Sequence, residues 1–284
     1  MEIILDILYL FVAAYTLYFL ALALRNLNDT SFKREKRYSQ YEEKDNLAVV
    51  IYSHNNKRTL ENLVRELKMQ DYPINNFKVF AILDNCSDGS QELFVNDSFV
   101  HVIDVKGVGT IGKDQAISIL LEQLSHDDLI DSYVFIDGDR SIAPDFLTTV
   151  NAALSKAHVI SGETIIDMKN LGPVDRVKAA YQKYHMNFIR KARSLFGLAS
   201  QADSGVFIIK QEIVKQIGDV DFKDINTELK YSLLLSKIKF KCTYNPNIQT
   251  VVDSANYIFR KPRLSYRLNL FKNCIPELFS TNFT

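Results

Sequence analysis

Two aspartates separated by one glycine, Asp137 and Asp139, follow the apolar run VFI at residues 134–136. In extended backbone, residues two apart point to the same side, so both carboxylates face one small volume. The two like charges repel each other unless a hard cation such as Mg²⁺ or Mn²⁺ shares their oxygens and bridges to a phosphate. The alternative is a strand that ends in a solvated Asp-Gly turn. The spacing alone leaves both interpretations open.

The elements that position these acids alternate between strands and helices. Strands are predicted at 46–53, 77–85, 99–105 and 132–139, and amphipathic helices at 57–70 and 113–124. This alternation predicts right-handed crossovers and an α/β fold with a mostly parallel central sheet flanked by helices. Ligands of such sheets bind beyond the carboxyl ends of the strands, where Asp84 and Asp137 both stand.

A glycine-rich stretch lies between the third strand and the second helix. Gly107, Gly109 and Gly112 match the G-x-G-x-x-G pattern of dinucleotide sites. Two strand units precede this one, whereas the fingerprint usually belongs to the first, and Lys113 follows at once. The sequence therefore favours a glycine-rich turn that carries a lysine near phosphate, or a tight loop.

The amino terminus differs from the rest of the chain. Residues 7–24 contain no charge, and as a helix they span about 27 Å, close to the hydrocarbon core of a bilayer. Acids precede this run and basic residues crowd its far side, so we predict an uncleaved transmembrane anchor over 1–25 and a basic linker over 26–46. The positive-inside rule then places the remaining chain in the cytoplasm. A signal peptide and a buried core helix are the alternatives.

The overall composition excludes several classes. The 34 basic residues balance 34 acidic ones, so the chain has no net positive charge that would favour a nucleic-acid partner. The sequence also contains no recognisable nucleic-acid-binding motif. Three distant cysteines and scattered histidines have neither zinc spacing nor redox spacing. Two stretches, 176–196 and 257–273, interleave basic and aromatic residues, which suits anionic lipid headgroups or a pyrophosphate-lipid. Solvated helix faces are the alternative.

Five stretches in order resemble the membrane-associated, inverting members of glycosyltransferase family 2, which have the GT-A nucleotide-sugar-binding fold. They are AVVIYSHNN, KMQDYPINNFKVFAILDNCSDGS, GKDQAIS, FIDGDRSIAPDFL and RKARSLFGLASQADSGVFIIKQEIVKQIG. The resemblance runs from about Leu47 to Lys272. It implies a transferase domain over 47–256 and a C-terminal basic and aromatic interfacial segment over 257–284.

The resemblance also implies a site. Asp137 and Asp139 match the Asp-x-Asp acids that hold Mn²⁺ or Mg²⁺ against the donor diphosphate, and Asp84 matches the acid that contacts the nucleoside. The donor is expected to be a nucleotide-sugar, with a UDP-sugar the first choice. The residues placed at the donor are Ser53, His54, Asn56, Asp84, Lys113 and Asp137.

The general base of the family is the last acid of a Thr-Glu-Asp segment, and the aligned residues here read Asn226, Thr227 and Glu228. Glu228 therefore takes the role of catalytic base with one additional methylene, which can displace a base by more than about 1 Å. Asp224 is the substitute candidate. The alternative role of Glu228 is that of a helix N-terminal acid favoured by the helix dipole.

Other positions depart from the family pattern. The Gln-x-x-Arg-Trp segment of processive members is matched only by Tyr266, Asn269 and Leu270, and the chain contains no tryptophan. Processive polymerisation is therefore not expected. The first hypothesis is a membrane-anchored hexosyltransferase that adds one sugar to a lipid-linked or polysaccharide acceptor at the cytoplasmic face. The second is a catalytically weak or inactive relative that assembles with an active glycosyltransferase partner. The retained acids favour the enzyme.

Overall fold

The N-terminal apolar run forms a single long helix, α1 (Glu2–Leu27), which ends two residues beyond the predicted anchor. The fold is that of a computed structural model, which describes residues 2–27, 44–95, 97–107, 110–124, 127–168, 170–200, 205–218, 232 and 234–252. The most apolar 18-residue window within residues 3–27 has a mean hydropathy of 2.2, and 6% of this window is buried. Length and composition thus suit a membrane span, although a signal sequence near the N-terminus passes the same test.

The first half of the globular part consists of parallel strands joined by helices. Its elements are β1 (Leu47–Ser53), α2 (Lys57–Lys68), β2 (Phe77–Asp84), β3 (Val100–Val105), α3 (Lys113–Leu124) and β4 (Ser132–Asp137). Short 3₁₀ turns at Ile74–Asn76 and Ser90–Phe94 precede β2 and β3. β1 pairs in parallel with both β2 and β4, and β2 pairs in parallel with β3. These strands and helices lie where the sequence predicts them, except that β4 ends at Asp137, and Gly138 and Asp139 form a turn and do not extend the strand to residue 139.

The second half mixes strand directions. Its elements are β5 (Arg140–Ile142), α4 (Phe146–Leu154), β6 (Val159–Ile166), α5 (Pro173–Tyr184), α6 (Lys191–Leu195), β7 (Val206–Lys210), α7 (Gln211–Ile217) and β8 (Thr243–Val252). A π-helical turn, His185–Arg190, joins α5 to α6. The eight strands form one sheet in the order β3-β2-β1-β4-β7-β6-β8-β5. β7 runs antiparallel to both β4 and β6, and β6 runs parallel to β8.

Helices cover the sheet on both faces, because alternate strand residues are apolar on each side. On one face, Val49 and Ile51 of β1 pack in the cluster that contains Leu60 and Leu63 of α2. On the other, Val50 packs in the cluster that contains residues of α3 and α7. The predicted α/β architecture, a mostly parallel sheet flanked by helices, is therefore confirmed.

The end of α2 fixes the segment that follows the Asp-Gly-Asp motif. Glu66 Oε2 accepts a hydrogen bond of 2.8 Å from the N–H of Ile142. Gln70 donates to the carbonyl of Ala143 and accepts from the N–H of Leu147. Backbone groups that would otherwise be unpaired are thus satisfied by helix side chains. The motif therefore leads into a segment, 142–147, with a fixed position.

The last turns of α1 contact the globular part. Leu22 is 1% exposed, and Asn26 Nδ2 donates a hydrogen bond of 2.8 Å to the carbonyl of Phe188. Arg193 of α6 also donates to the hydroxyl of Tyr18, at 2.8 Å. The apolar helix is thus attached to the α5–α6 region, which carries the first of the two basic and aromatic stretches.

Candidate active site

Three neighbouring strands bring the candidate residues to one edge of the sheet. In the register of β1 with β4, Tyr52 lies opposite Asp137, and in that of β1 with β2, Ser53 lies opposite Leu83. β1, β2 and β4 are parallel, so their carboxyl ends meet at the same edge. Asp84 and Asp137, more than fifty positions apart in the chain, therefore end adjacent parts of one sheet.

Two basic side chains of the protein itself surround the acids of the Asp-Gly-Asp motif. Lys113 Nζ lies 2.6 Å from Asp137 Oδ1, and Arg140 Nη2 lies 3.3 Å from Asp137 Oδ2. Arg140 Nε lies 3.0 Å from Asp139 Oδ1. All four side chains are mostly buried, with exposed fractions of 11–23%. Two carboxylates and two cations thus form a charge-balanced cluster that includes Lys113, whose predicted contact with the donor remains a prediction.

Several polar atoms of this cluster have no aligned hydrogen bond. Arg140 Nε and Nη1 and Asp139 Oδ1 are buried without a hydrogen-bond partner among the described residues, because the close Nε–Oδ1 contact is an ion pair with poor alignment. Burial raises the pKa of the Asp139 carboxyl above its usual range, while Arg140 acts in the opposite direction. Buried polar groups normally find partners, so these atoms favour a polar ligand at this point.

The glycine of the motif is required by close packing. A Cβ added to Gly138 would lie 2.9 Å from Ser53 Cβ, and the N–H of Gly138 donates to the carbonyl of Tyr52 at 2.8 Å. Ser53, a predicted donor contact, is itself completely buried. In this arrangement Ser53 therefore supports the Asp-Gly-Asp turn, and its contact with a donor remains a prediction.

Asp84 is also completely buried, and its carboxylate binds the glycine-rich turn. It accepts hydrogen bonds from the N–H groups of Ile111 and Gly112 at 3.0 and 2.9 Å, and from the Tyr52 hydroxyl at 2.8 Å. Gly112 has a φ of 85°, a left-handed conformation that glycine adopts without strain. Asp84 thus positions the turn that presents Lys113 to Asp137. Its predicted contact with a nucleoside requires a rearrangement and remains a prediction.

The loop after β1 is held against β2. His54 Nδ1 lies 2.6 Å from the carbonyl oxygen of Asp84, so Nδ1 carries the proton in this contact. Asn55, at a φ of 54°, accepts a hydrogen bond from the N–H of Ser87 and approaches His54 Nε2. Asn56 precedes α2, and its carbonyl accepts from the N–H of Leu60. The donor roles predicted for His54 and Asn56 are not tested by these contacts.

The structure brings two residues into the site that were not predicted from the sequence. Arg140 directly follows the motif, and a cation next to two acids was a signal that could have found it. Tyr52 was given no role from the sequence, yet its hydroxyl contacts Asp84. Its partner lies 32 positions away, so only the pairing of β1 with β2 reveals this contact.

The residues present fit a divalent cation. Asp137 and Asp139 supply hard carboxylate oxygens, and Asp139 Oδ1 is a buried acceptor without an aligned donor. The part of the chain that the structure describes contains no group of three or more metal-ligating side chains. Two carboxylates completed by phosphate and water are the usual ligands of Mg²⁺ at phosphate-transfer sites.

The acceptor-side predictions fall outside the described residues. These comprise the proposed base Glu228, its substitute Asp224, and the segment with Tyr266, Asn269 and Leu270. The interfacial segment 257–284 and most of the basic linker, 28–43, fall outside them as well.

The comparisons with known proteins agree with this fold. The model of glycosyl transferase family 2 matches residues 48–218, and the chain therefore belongs to this family. No curated protein matches it. The mannosyltransferase PcManGT from Pyrobaculum calidifontis, solved with GDP-Man and Mn²⁺, is 14% identical with a TM-score of 0.64, over 95% of this chain and 72% of that one.

Structures of S. aureus TarS are also similar. TarS 1–349 in complex with UDP-GlcNAc is 14% identical with a TM-score of 0.57, over 84% of this chain and 68% of that one. A longer TarS chain has a TM-score of 0.55 at 14% identity, and the match covers 84% of this chain but only 40% of that one. At these identities the likeness establishes the nucleotide-sugar transferase fold.

Proposed function

We propose that this protein transfers one sugar from a nucleoside-diphosphate sugar, with a UDP-sugar as the first choice, to a lipid-linked or polysaccharide acceptor. The transfer is metal-dependent and inverts the anomeric configuration. The observation that carries the proposal is the convergence of Asp137, Asp139 and Lys113 beyond the carboxyl ends of adjacent parallel strands. Membership of glycosyl transferase family 2 supports the same reaction class.

The donor side follows from the chemistry of these residues. Asp137 and Asp139 would hold Mn²⁺ or Mg²⁺, which supplies charge stabilisation to the departing diphosphate. Lys113 contributes a positive charge from the turn that Asp84 fixes. UDP is the first choice of nucleotide and GDP is the alternative, since similar structures hold UDP-GlcNAc and GDP-Man.

The acceptor side follows from the family resemblance. An inverting transfer needs a base that removes the proton of the acceptor hydroxyl as its oxygen attacks the anomeric carbon. We assign this role to Glu228, with Asp224 as the substitute. Replacement of a base by its amide is expected to lower turnover by roughly 10²–10⁴-fold. Nucleotide binding is expected to persist in Glu228→Gln, because the base contacts the acceptor.

The membrane side is supported by the surface next to α1. One stripe of α5 is exposed although apolar, with exposed fractions of 46–70%, and consists of Val174, Val177, Tyr181 and Tyr184. Arg176 and Lys183 flank this α5 stripe, and the stripe is continuous with the segment that α1 contacts. A helix of this kind lies in the headgroup region of an anionic membrane. The α1 helix would then be the anchor, with the transferase domain on the cytoplasmic side.

A second function is favoured by one specific observation. Asp137 and Asp139 are already paired with Lys113 and Arg140, so the acids need no metal to balance their charge. This arrangement is also expected for an inactive relative that assembles with an active glycosyltransferase. The departures of the acceptor-side sequence agree with it.

One experiment separates the two functions. The full chain in detergent is unfolded thermally with UDP or GDP, each with and without Mn²⁺. Ligand at a hundred times its dissociation constant stabilises by about 2.7 kcal/mol, which is a shift of several degrees for a domain of this size. We expect the shift to require both nucleotide and metal, to vanish in Asp139→Asn and to persist in the control Asp145→Asn, which alters an exposed acid nearby. No shift with any nucleotide would support the assembly subunit.

A further inference from the structure

We propose that Arg140 is the counter-ion of Asp137 and Asp139 in the free protein. When metal and nucleotide bind together, the guanidinium of Arg140 moves from these acids to the diphosphate of the donor. The inference rests on the proposed function because the diphosphate is that of its donor. Arg140 then contributes to donor binding, and the affinity of the site for metal depends on whether nucleotide is bound.

The first argument is the charge of the site. Metal sites built from two carboxylates attract a divalent cation because their net charge is negative. Here Lys113 and Arg140 already neutralise Asp137 and Asp139, at distances of 2.6–3.3 Å. A cation that arrives alone must compete with these two positive charges for the same oxygens. It would also leave the guanidinium of Arg140 buried without a counter-charge, which is unfavourable.

The second argument is that Arg140 is incompletely paired in its present position. Its contact with Asp137 is long, at 3.3 Å, and its Nε and Nη1 lack hydrogen bonds among the described residues. The side chain is 11% exposed, so water replaces these bonds poorly. A guanidinium has five donors in a planar fork, which matches the oxygens of a phosphate. A diphosphate would therefore satisfy Arg140 better than the two aspartates do.

The third argument is the fixed backbone around Arg140. β5 begins at Arg140 and pairs with β8 in the register Arg140–Val252. Two residues further on, the N–H of Ile142 is bonded to Glu66. The backbone is thus held from both sides, and a transfer of Arg140 between partners needs only its side chain.

The consequence is a coupling between metal and nucleotide. Each ligand removes the obstacle that the other meets, because the metal takes over the acids and the diphosphate takes over Arg140. Coupling of this kind is reciprocal, so nucleotide raises the affinity for metal by the factor by which metal raises the affinity for nucleotide.

The test measures Mn²⁺ binding by the loss of the electron paramagnetic resonance signal of free Mn²⁺, with the full chain in detergent and without nucleotide. Removal of a positive charge a few ångströms from the cation should raise its affinity roughly tenfold or more in Arg140→Ala. Arg140→Lys and the exposed-arginine control Arg65→Ala should bind Mn²⁺ as the wild type does. An unchanged affinity in Arg140→Ala would overturn the proposal.

A second variant and a second measurement keep the proposal testable. Arg140→Gln, which retains more of the side-chain volume, replaces Arg140→Ala if circular dichroism shows that the alanine variant is unfolded. In the wild type, UDP or GDP should raise the affinity for Mn²⁺ at least tenfold, and a ratio near one would also overturn the proposal. If neither nucleotide binds in the presence of Mn²⁺, the proposed donor function fails. The Mn²⁺ affinities of the wild type and Arg140→Ala without nucleotide still decide whether Arg140 competes with the metal for the two acids.

Discussion

The hydroxyl of Tyr52 donates a hydrogen bond of 2.8 Å to the buried carboxylate of Asp84 and ties the end of β1 to the end of β2. Burial and the hydrogen bond to Asp84 raise the pKa of Tyr52, so its hydroxyl keeps its proton throughout the physiological range. Asp84 in turn holds the turn before Lys113. One hydroxyl of β1 thus supports the loop that supplies a cation to the site.

We expect Tyr52→Phe to lower the free energy of unfolding by about 1.5–3 kcal/mol, since it removes a hydrogen bond to a charged, buried acceptor. The ring is retained, so no cavity forms. Denaturant unfolding of the full chain in detergent measures the change.

Tyr133→Phe is the matched control for this prediction. The Tyr133 hydroxyl donates to a neutral acceptor, the carbonyl of Leu124, at 3.1 Å, and burial raises its pKa to about 12. Loss of a neutral hydrogen bond lowers the free energy of unfolding by only about 0.5–1.5 kcal/mol. Equal losses in the two variants would show that the charge of Asp84 adds nothing to the Tyr52 bond.

We expect Gly138→Ala to lower stability by about 1–3 kcal/mol, because the added methyl group overlaps Ser53 and the end of β1. The displacement also moves Asp137 and Asp139, so the nucleotide-dependent thermal shift should shrink. Gly172→Ala is the control, since a methyl group there meets nothing within 4 Å. Its position at the start of α5 predicts a loss of no more than about 1 kcal/mol. Similar losses for both glycines would contradict the packing argument.

A pH dependence is expected at Glu66, whose pKa is raised by burial against the lowering effect of the Ile142 N–H. The folded state therefore retains this proton to higher pH than the unfolded chain does. Stability falls as pH rises from the unfolded value of 4.5 through the raised folded pKa, and the loss is complete above it. Glu66→Gln cannot ionise and keeps an oxygen acceptor for Ile142.

The stability of Glu66→Gln relative to the wild type should therefore increase with pH across this window and then level off. Unfolding midpoints between about pH 4 and pH 7 give the comparison. Glu61→Gln, an exposed change on the same helix, should show no such trend. A difference that is constant with pH would refute the assignment to Glu66.

The contact of the α5 stripe with lipid can be measured because the chain contains no tryptophan. We expect Tyr181→Trp, in the full chain reconstituted into vesicles, to be quenched by brominated lipids, as for an aromatic residue at headgroup level. Val95→Trp is the control. Val95 is 75% exposed and lies beside β3, at the sheet edge remote from β8 and α6. Equal quenching of both variants would argue against a specific membrane face.

The sequence by itself determined the order of elements in the first half of the domain. Strands and helices alternate there with strong apolar periodicity, and local patterns suffice to place β1, α2, β2, α3 and β4. It also placed Asp137 at the end of a strand, although Gly138 and Asp139 form a turn and do not continue the strand as predicted. The long apolar run likewise predicts α1 without reference to the remaining chain.

Only the tertiary structure decided which partners these residues have. The bonds of Asp84 to Tyr52 and Gly112, and of Asp137 to Lys113, cross 24–32 positions of sequence and depend on the order of strands in the sheet. The antiparallel insertion of β7 beside β4 has no local signal, because strand direction depends on pairing. The charge balance of the site likewise depends on tertiary structure through Lys113, which lies 24 positions from Asp137, whereas Arg140 adjoins the two acids in the sequence.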